Sequence, residues 1–276
     1  MINATGNRMA FEIARQTRLA RSIEQIQIDI STGKRIQRPS DDPAAAARVA
    51  TIRQSQADDD VWKRNIDLGS SLAAQADGVL KGLNERLARA QVLMIQGSTG
   101  SLPAGDRNTI GAEIRAIADE VDGLAGTQSS LSQPLFSSGA PRSIRFGDSV
   151  LFAPVPSRAQ VFEYASIPLS DQLRNLAAAV ETGSRAQLDA ALDLAQGLVR
   201  HGADVAAGIG STAARLDLLA DTRASRAVDL TVERSSLEAT DYTSAIATLN
   251  AQQLTLEAAQ AAFARINRRS LIDLLS

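Results

Sequence analysis

The 276-residue chain has no cysteine and a single histidine, His201. The first absence excludes a disulfide framework and thiolate metal sites, and says nothing about redox compartment. The second excludes a zinc site built from several imidazoles and would rest any catalytic triad on one ring. Aromatic residues make up only 3% of the chain, so the core is aliphatic and alanine-rich, which suits helices packed side by side rather than a sandwich or barrel. An excess of one charge is also lacking: 29 basic residues stand against 31 acidic ones, a net charge of -2, and no basic field for nucleic acid results. No run of the ~18 apolar residues that crosses a bilayer is present, and Met1 to Gln16 has no apolar signal core. Neither membrane insertion nor export by the general pathway is expected.

What is present is helical periodicity. Glycine and proline are missing from Leu237 through Leu275, while Tyr242, Leu249, Leu256 and Phe263 recur every seventh residue, with Ile246 and Ile266 widening the stripe and Leu271 continuing it. This spacing predicts an uninterrupted helix over 237–276 that lies along another helix. Its flanking Ala258, Ala259, Ala261 and Ala262 bury little area against an ordering cost of ~1–2 kcal/mol per residue, so the helix is expected to be stable only on association. A matching stripe stands near the other end, where Leu19, Ile23, Ile26 and Ile30 are spaced four, three and four apart. Gly33 is placed to end that helix in a left-handed conformation. Asp42 as N-cap and Pro43 as first helical residue are placed to start the next.

A four-three rhythm continues through Leu72, Ala76, Leu80, Leu83, Leu87, Ala90 and Met94, predicting a helix from Pro43 to about Gly97. After a short link with Gly100, Pro103 and Gly105, Asp106 is expected to cap a helix bearing Ile110, Ile114, Ile117, Val121 and Leu124, antiparallel to its predecessor. Residues 127–168 differ, collecting Pro134, Pro141, Pro154, Pro156 and Pro168, with Ile144, Phe146, Val150, Phe152 and Val155 suggesting short strands around Gly147-Asp148. Helices follow over Leu169–Val180 and Leu188–Val205, then a turn at Gly208-Ile209-Gly210, then a helix running on into the closing one.

No enzyme reading survives inspection of the chemical motifs. Gly208 to Ala213 fits a dinucleotide-binding G-x-G-x-x-A pattern, yet that turn needs a strand before it and the preceding segment is helical. Ser31 and Lys34 have serine-acylase spacing, but Gly33 breaks the helix that would hold both, and no partner motif follows. Asp58-Asp59-Asp60 points its carboxylates ~100° apart on a helix, so they cannot converge on one cation and are expected on a solvated face. Asp204 is read as a surface neighbour of His201, and Trp62 as a packing residue. Arg8, Arg15, Arg18 and Arg21 alternate with Glu12 and Glu24 as a coiled-coil flank does.

The run Ile30-Ser-Thr-Gly33-Lys-Arg35-Ile-Gln-Arg-Pro39-Ser-Asp41-Asp42-Pro43, followed by Ala44 to Ala47, resembles the N-terminal signature of the flagellin family. Pro134-Leu135-Phe136-Ser137-Ser138-Gly139 is similar to an element of that family's hook–filament junction branch. The end, Ser270-Leu271-Ile272-Asp273-Leu274-Leu275, is similar to the same branch's ending, with Ile272 and Leu274 in place of its aromatics. The expected fold is mainly α: a long antiparallel helical bundle or coiled coil with the N- and C-terminal helices paired, plus a small β hairpin region mid-chain. Residues 1–40 and 240–276 are expected to form a terminal assembly domain, loose in the monomer. Residues 41–135 and 169–239 would form the helical bundle, and 136–168 a β-rich remnant of the family's variable outer domain.

The resemblance implies a structural, extracellular subunit of the bacterial flagellum at the junction of hook and filament. It would travel through the flagellar type III export apparatus with a chaperone on its C-terminal segment, and would polymerise with copies of itself into a tube, beside a hook-side junction protein and flagellin. Filament flagellin and a cytoplasmic coiled-coil adaptor are the alternatives. No cofactor or metal is expected. The polymer contacts would fall on Leu19, Ile23, Ile26, Ile30, Tyr242, Ile246, Leu249, Leu256, Phe263, Ile266 and Leu271.

Overall fold

The computed structural model describes the backbone of residues 2–99 and 102–273 and the side chains of 9–99 and 102–265. Helix α1 spans Ile2–Thr32 and stops at Gly33, whose φ of 69° is the left-handed value that glycine tolerates best. Helix α2, Pro43–Gly97, opens with Asp42 as its cap, the Oδ1 atom accepting the Ala45 N–H at 3.0 Å. Helix α3 covers Ala104–Ala125, α5 Leu169–Thr182, α6 Arg185–Glu238 and α7 Tyr242–Asp273. A short α4, Arg158–Phe162, is set by a capping box between Ser157 and Gln160.

The chain divides into two compact units, residues 57–226 and residues 1–56 with 227–276. In the first, the periodic face of α2 buries Leu80, Leu83, Leu87, Leu93 and Met94 against Ile114 and Val121 of α3, Leu173 and Val180 of α5, and Leu198 and Ile209 of α6. Ion pairs record the directions. Arg86–Glu120 at 2.7 Å and Arg89–Glu113 at 2.6 Å make α2 and α3 antiparallel, as their short link predicts. Arg115–Glu181 and Arg174–Asp119 do the same for α3 and α5. Closely packed helices need small residues where they meet, and a Cβ at Gly97 would press within 2.6 Å of Val180.

The β-rich stretch forms two hairpins. Strands β1 (Ile144–Arg145) and β2 (Leu151–Phe152) pair antiparallel, as do β3 (Glu163–Tyr164) and β4 (Ile167–Pro168). Phe146 from the first hairpin is fully buried with Ile66, Ala73 and Leu216. Gly69 admits its ring, since a Cβ there would stand 2.8 Å from Phe146 Cε1. Phe136, from the Pro-Leu-Phe element, packs edge to face on Phe162 with centroids 5.3 Å apart.

Four expectations need correction. Gly208 and Gly210 make no turn; α6 runs straight through them because Ile209 between them and Leu216 beyond are buried, and packing overrides the glycines' weak helix propensity. The closing helix is not continuous from Leu237. It breaks at 239–241, where Asp241 Oδ1 accepts the Thr243 N–H at 3.0 Å and starts α7 afresh without glycine or proline. Asp106 does not cap α3; the helix begins at Ala104 behind Pro103, which leaves Asp106 in the first turn, near the positive end of the dipole. Asp59 is not solvated: it is 5% exposed and its Oδ1 accepts from Arg223 Nη1 at 2.7 Å. As the middle residue of its run, it points from α2 toward α6, while Asp60 is exposed. Arg223 also lies 4.2 Å over the Trp62 ring. His201 is a packing residue, its Nε2 3.1 Å from the Val161 carbonyl.

Candidate assembly interface

The signature residues build a clasp at one end of the paired terminal helices. Past Gly33 the chain runs extended for a moment, and Lys34 bridges Ala239 in antiparallel fashion. The Arg35 N–H donates to the Glu238 carbonyl at 2.8 Å, and the Thr240 N–H to the Gly33 carbonyl at 3.1 Å. Those carbonyls and amides lie where helices end and would otherwise lack partners. The Arg35 guanidinium donates to Asp42 Oδ2 at 3.2 Å and to the Leu237 carbonyl at 3.3 Å, tying the start of α2 to the end of α6. Asp41 Oδ2 accepts the N–H groups of Gln37 at 3.0 Å and Arg38 at 2.7 Å, holding the turn over Pro39, which is itself exposed. Glu238, 9% exposed, receives Arg53 at 2.6 Å. Five signature residues thus have a mechanical reason: Gly33 as left-handed glycine, Arg35 as forked arginine, Asp41 as turn-forming aspartate, Asp42 as capping aspartate and Pro43 as helix-starting proline.

From the clasp, α1 and α7 run back antiparallel against each other. On α1, Leu19, Ile23, Ile26 and Ile30 are half-buried and share the seam with Gln16. On α7 the half-buried positions among the described side chains are Ala245, Leu249, Gln252, Gln253, Leu256, Ala259 and Phe263, and all but Gln253 follow a four-three alternation. Tyr242 and Ile246 therefore do not join the buried stripe; they are 52% and 47% exposed. Ile246 is out of phase with the seam, and Tyr242, the first residue of α7, instead sets its hydroxyl over Gly33, 2.7 Å from where a Cβ would be. The side chains of Ile266 and Leu271 lie outside those described. The periodicity missed the apolar residues that remain open: Phe11 at 73% and Leu254 at 69% exposure stand off the stripes.

The charges around the clasp are set by its hydrogen bonds. The Ala45 N–H, with the Arg35 guanidinium adding to it against some desolvation, holds the Asp42 carboxyl below its ordinary 3.8. Arg48, bidentate on Glu233 at 2.6 and 3.0 Å, lowers that carboxyl from its ordinary 4.5. Among the described residues no three His, Cys, Asp or Glu side chains gather to hold a metal ion, and no helix is long and apolar enough to cross a membrane.

Residues 7–139, which take in most of α1, the clasp, α2, α3 and the Pro-Leu-Phe element, match the profile described as the bacterial flagellin N-terminal helical region. Over that stretch the chain is similar to the flagellin family. Flagellar hook-associated protein 3 of Escherichia coli K12 is 24% identical over 286 aligned residues, which cover 89% of this chain and 90% of that protein. A flagellin of Listeria monocytogenes is 32% identical over 103 residues, covering 37% of this chain and 36% of the flagellin. A solved structure described as a flagellar hook-associated protein from Vibrio parahaemolyticus superposes with a TM-score of 0.65 at 17% identity, over 72% of this chain and 100% of that one. That likeness concerns the fold. The residues that resemble the flagellin signature and the residues of the clasp are the same.

Proposed function

We propose that this chain is the subunit that joins the flagellar hook to the filament, polymerising through its terminal helices into a short tubular homo-oligomer. The observation that carries the reading is the reach of the resemblance. A hook-associated protein 3 aligns with 89% of the chain, where the Listeria flagellin aligns with 37%. The terminal unit supports it physically. Phe11, Val232 and Leu254 are 73%, 62% and 69% exposed there, which leaves large apolar side chains open to a neighbouring copy. Its neighbours would be a hook-side junction protein on one side and flagellin on the other. It leaves the cell through the flagellar type III apparatus with a chaperone on its C-terminal segment, its ends loose until assembly. Residues 136–168 are the remnant of an outer domain.

Cells lacking the protein are expected to build hooks without filaments and to lose flagellin to the medium; ordinary filaments on such cells overturn the assignment. The family's other role, filament flagellin, draws on the 32% identity to the Listeria protein. It is favoured if the purified chain grows long filaments alone. Protease is expected to trim both ends of the monomer and spare the middle. Protected ends in a stable isolated dimer would point to an adaptor.

A further inference from the structure

The helices of residues 57–226 meet along seams that repeat every seven residues, and glycine interrupts several of them. On α2, buried Gly69 and Gly97 keep the three-four spacing of Ala76, Leu80, Leu83 and Leu87. On α3, Gly111 keeps that of Ile114, Ala118 and Val121, and on α6 Gly202 keeps that of Ala195, Leu198 and Ile209. Glycine at such a position gives up helix propensity and buried area together. What it leaves is room for one side chain. A Cβ at Gly69 would strike the Phe146 ring, one at Gly97 the Val180 methyls, one at Gly111 the Glu181 carboxylate and one at Gly202 the Asn84 amide oxygen. Exposed Gly78, Gly123, Gly208 and Gly210 have nothing within 4 Å of that point.

The side chains that fill these places do not repeat, whereas the seams do. A face of alanine and leucine fits its neighbour nearly as well one heptad along, a slip of about 10 Å at ~1.5 Å per residue. Seven residues from Gly69, Gly97, Gly111 and Gly202 stand Ala76, Ala90, Ala118 and Ala195. After a slip, each alanine would bring a methyl group to a place where the glycine now has none, in an interior packed too closely to absorb it. We infer that the four seam glycines are keyholes that fix the axial register of the helical body, a single methyl group deciding between the native pairing and its heptad-shifted neighbours. Asn84 shows the point most plainly. Its Oδ1 is shut off from water and has no hydrogen-bond partner among the described residues, so what it contributes against Gly202 is fit. Nothing in this lock depends on the proposed junction role.

The full chain has no cysteine of its own, so spin labels can be set at Ala74→Cys on α2 and Gln196→Cys on α6, both exposed positions. In that background the native pairing is expected to give one narrow distance. Asn84→Leu with Gly202→Ala turns the keyhole into an ordinary seam position and is expected to add a second distance, displaced by up to about 10 Å. A single distance that matches the native one overturns the inference. Thermal unfolding reads the cost of a blocked keyhole. Gly202→Ala is expected to lower the midpoint, and Gly208→Ala, where a Cβ meets nothing, to leave or raise it. Asn84→Ala combined with Gly202→Ala is expected to recover most of the loss, and it decides the matter if Gly202→Ala alone does not fold. A midpoint for Gly202→Ala no lower than for Gly208→Ala, or no recovery in the double variant, also overturns the inference. Ordinary filaments on cells lacking the protein defeat the junction reading and leave these results standing.

Discussion

At the scale of single residues, the most consequential contacts are those that combine burial with a charge or an unusual backbone. Asp59 is 7% exposed at its side chain and serves both Arg223 at 2.7 Å and Arg226 at 3.5 Å. Asp59→Ala leaves the mostly buried Arg223 guanidinium without its carboxylate and is expected to cost about 3–5 kcal/mol in urea unfolding. A loss below ~1 kcal/mol would show that the pair is a surface one in effect. Gly33 is doubly constrained, by its positive φ and by the Tyr242 hydroxyl above it. Gly33→Ala is expected to destabilise the terminal unit by about 1–3 kcal/mol, with Gly33→Ala in a Tyr242→Phe background losing less. Amide exchange in α1 and α7 reads both. None of Asp59's importance was legible in the sequence, because three adjacent aspartates look alike until a neighbouring helix selects the one that faces it.

At the scale of elements, periodicity and punctuation agree with the structure where both signals are local. Leu72 to Met94 shows its buried face in advance, and Gly33, Asp42 and Pro43 end and restart helices by their own chemistry. Punctuation misleads where packing competes with it. Gly208 and Gly210 sit in an unbroken α6, and nothing lies within 4 Å of a Cβ built at either. Gly208→Ala is accordingly expected to stabilise the protein by up to about 1 kcal/mol, since alanine removes backbone entropy without a clash. A thermal midpoint that falls instead would mean that the helix bends there. The converse error occurs at 239–241, where a break arises without glycine or proline because the segment Gly33 to Arg35 of the same chain takes up the helix-end groups. The terminal stripe was legible as a heptad, but not its phase: Ala245, Gln252 and Ala259 fill seam positions that a search for large apolar residues passes over.

At the scale of the whole molecule, carboxylates held by hydrogen bonds set the response to acid. Asp42, Glu181 and Glu233 lie below their ordinary values because of the Ala45 N–H, Arg115 and Arg48 respectively. For Asp122 burial pushes up, but bonds from Ser170 and Arg174 outweigh it. Each folded carboxyl gives up its proton at lower pH than its unfolded counterpart, so the unfolded chain binds more protons in that window and stability falls with falling pH. The urea midpoint is expected to hold between pH 7 and about 5 and to decline below about 4.5; a midpoint that rises on acidification would contradict this. Helix content, the pairing of the two chain ends and the family signature were all determined by the sequence alone. They depend on spacings and backbone preferences that each segment carries with it. Only the tertiary structure decided which aspartate is buried, which heptad phase closes the seam and where α6 yields to α7, because each depends on what a residue far along the chain places opposite it.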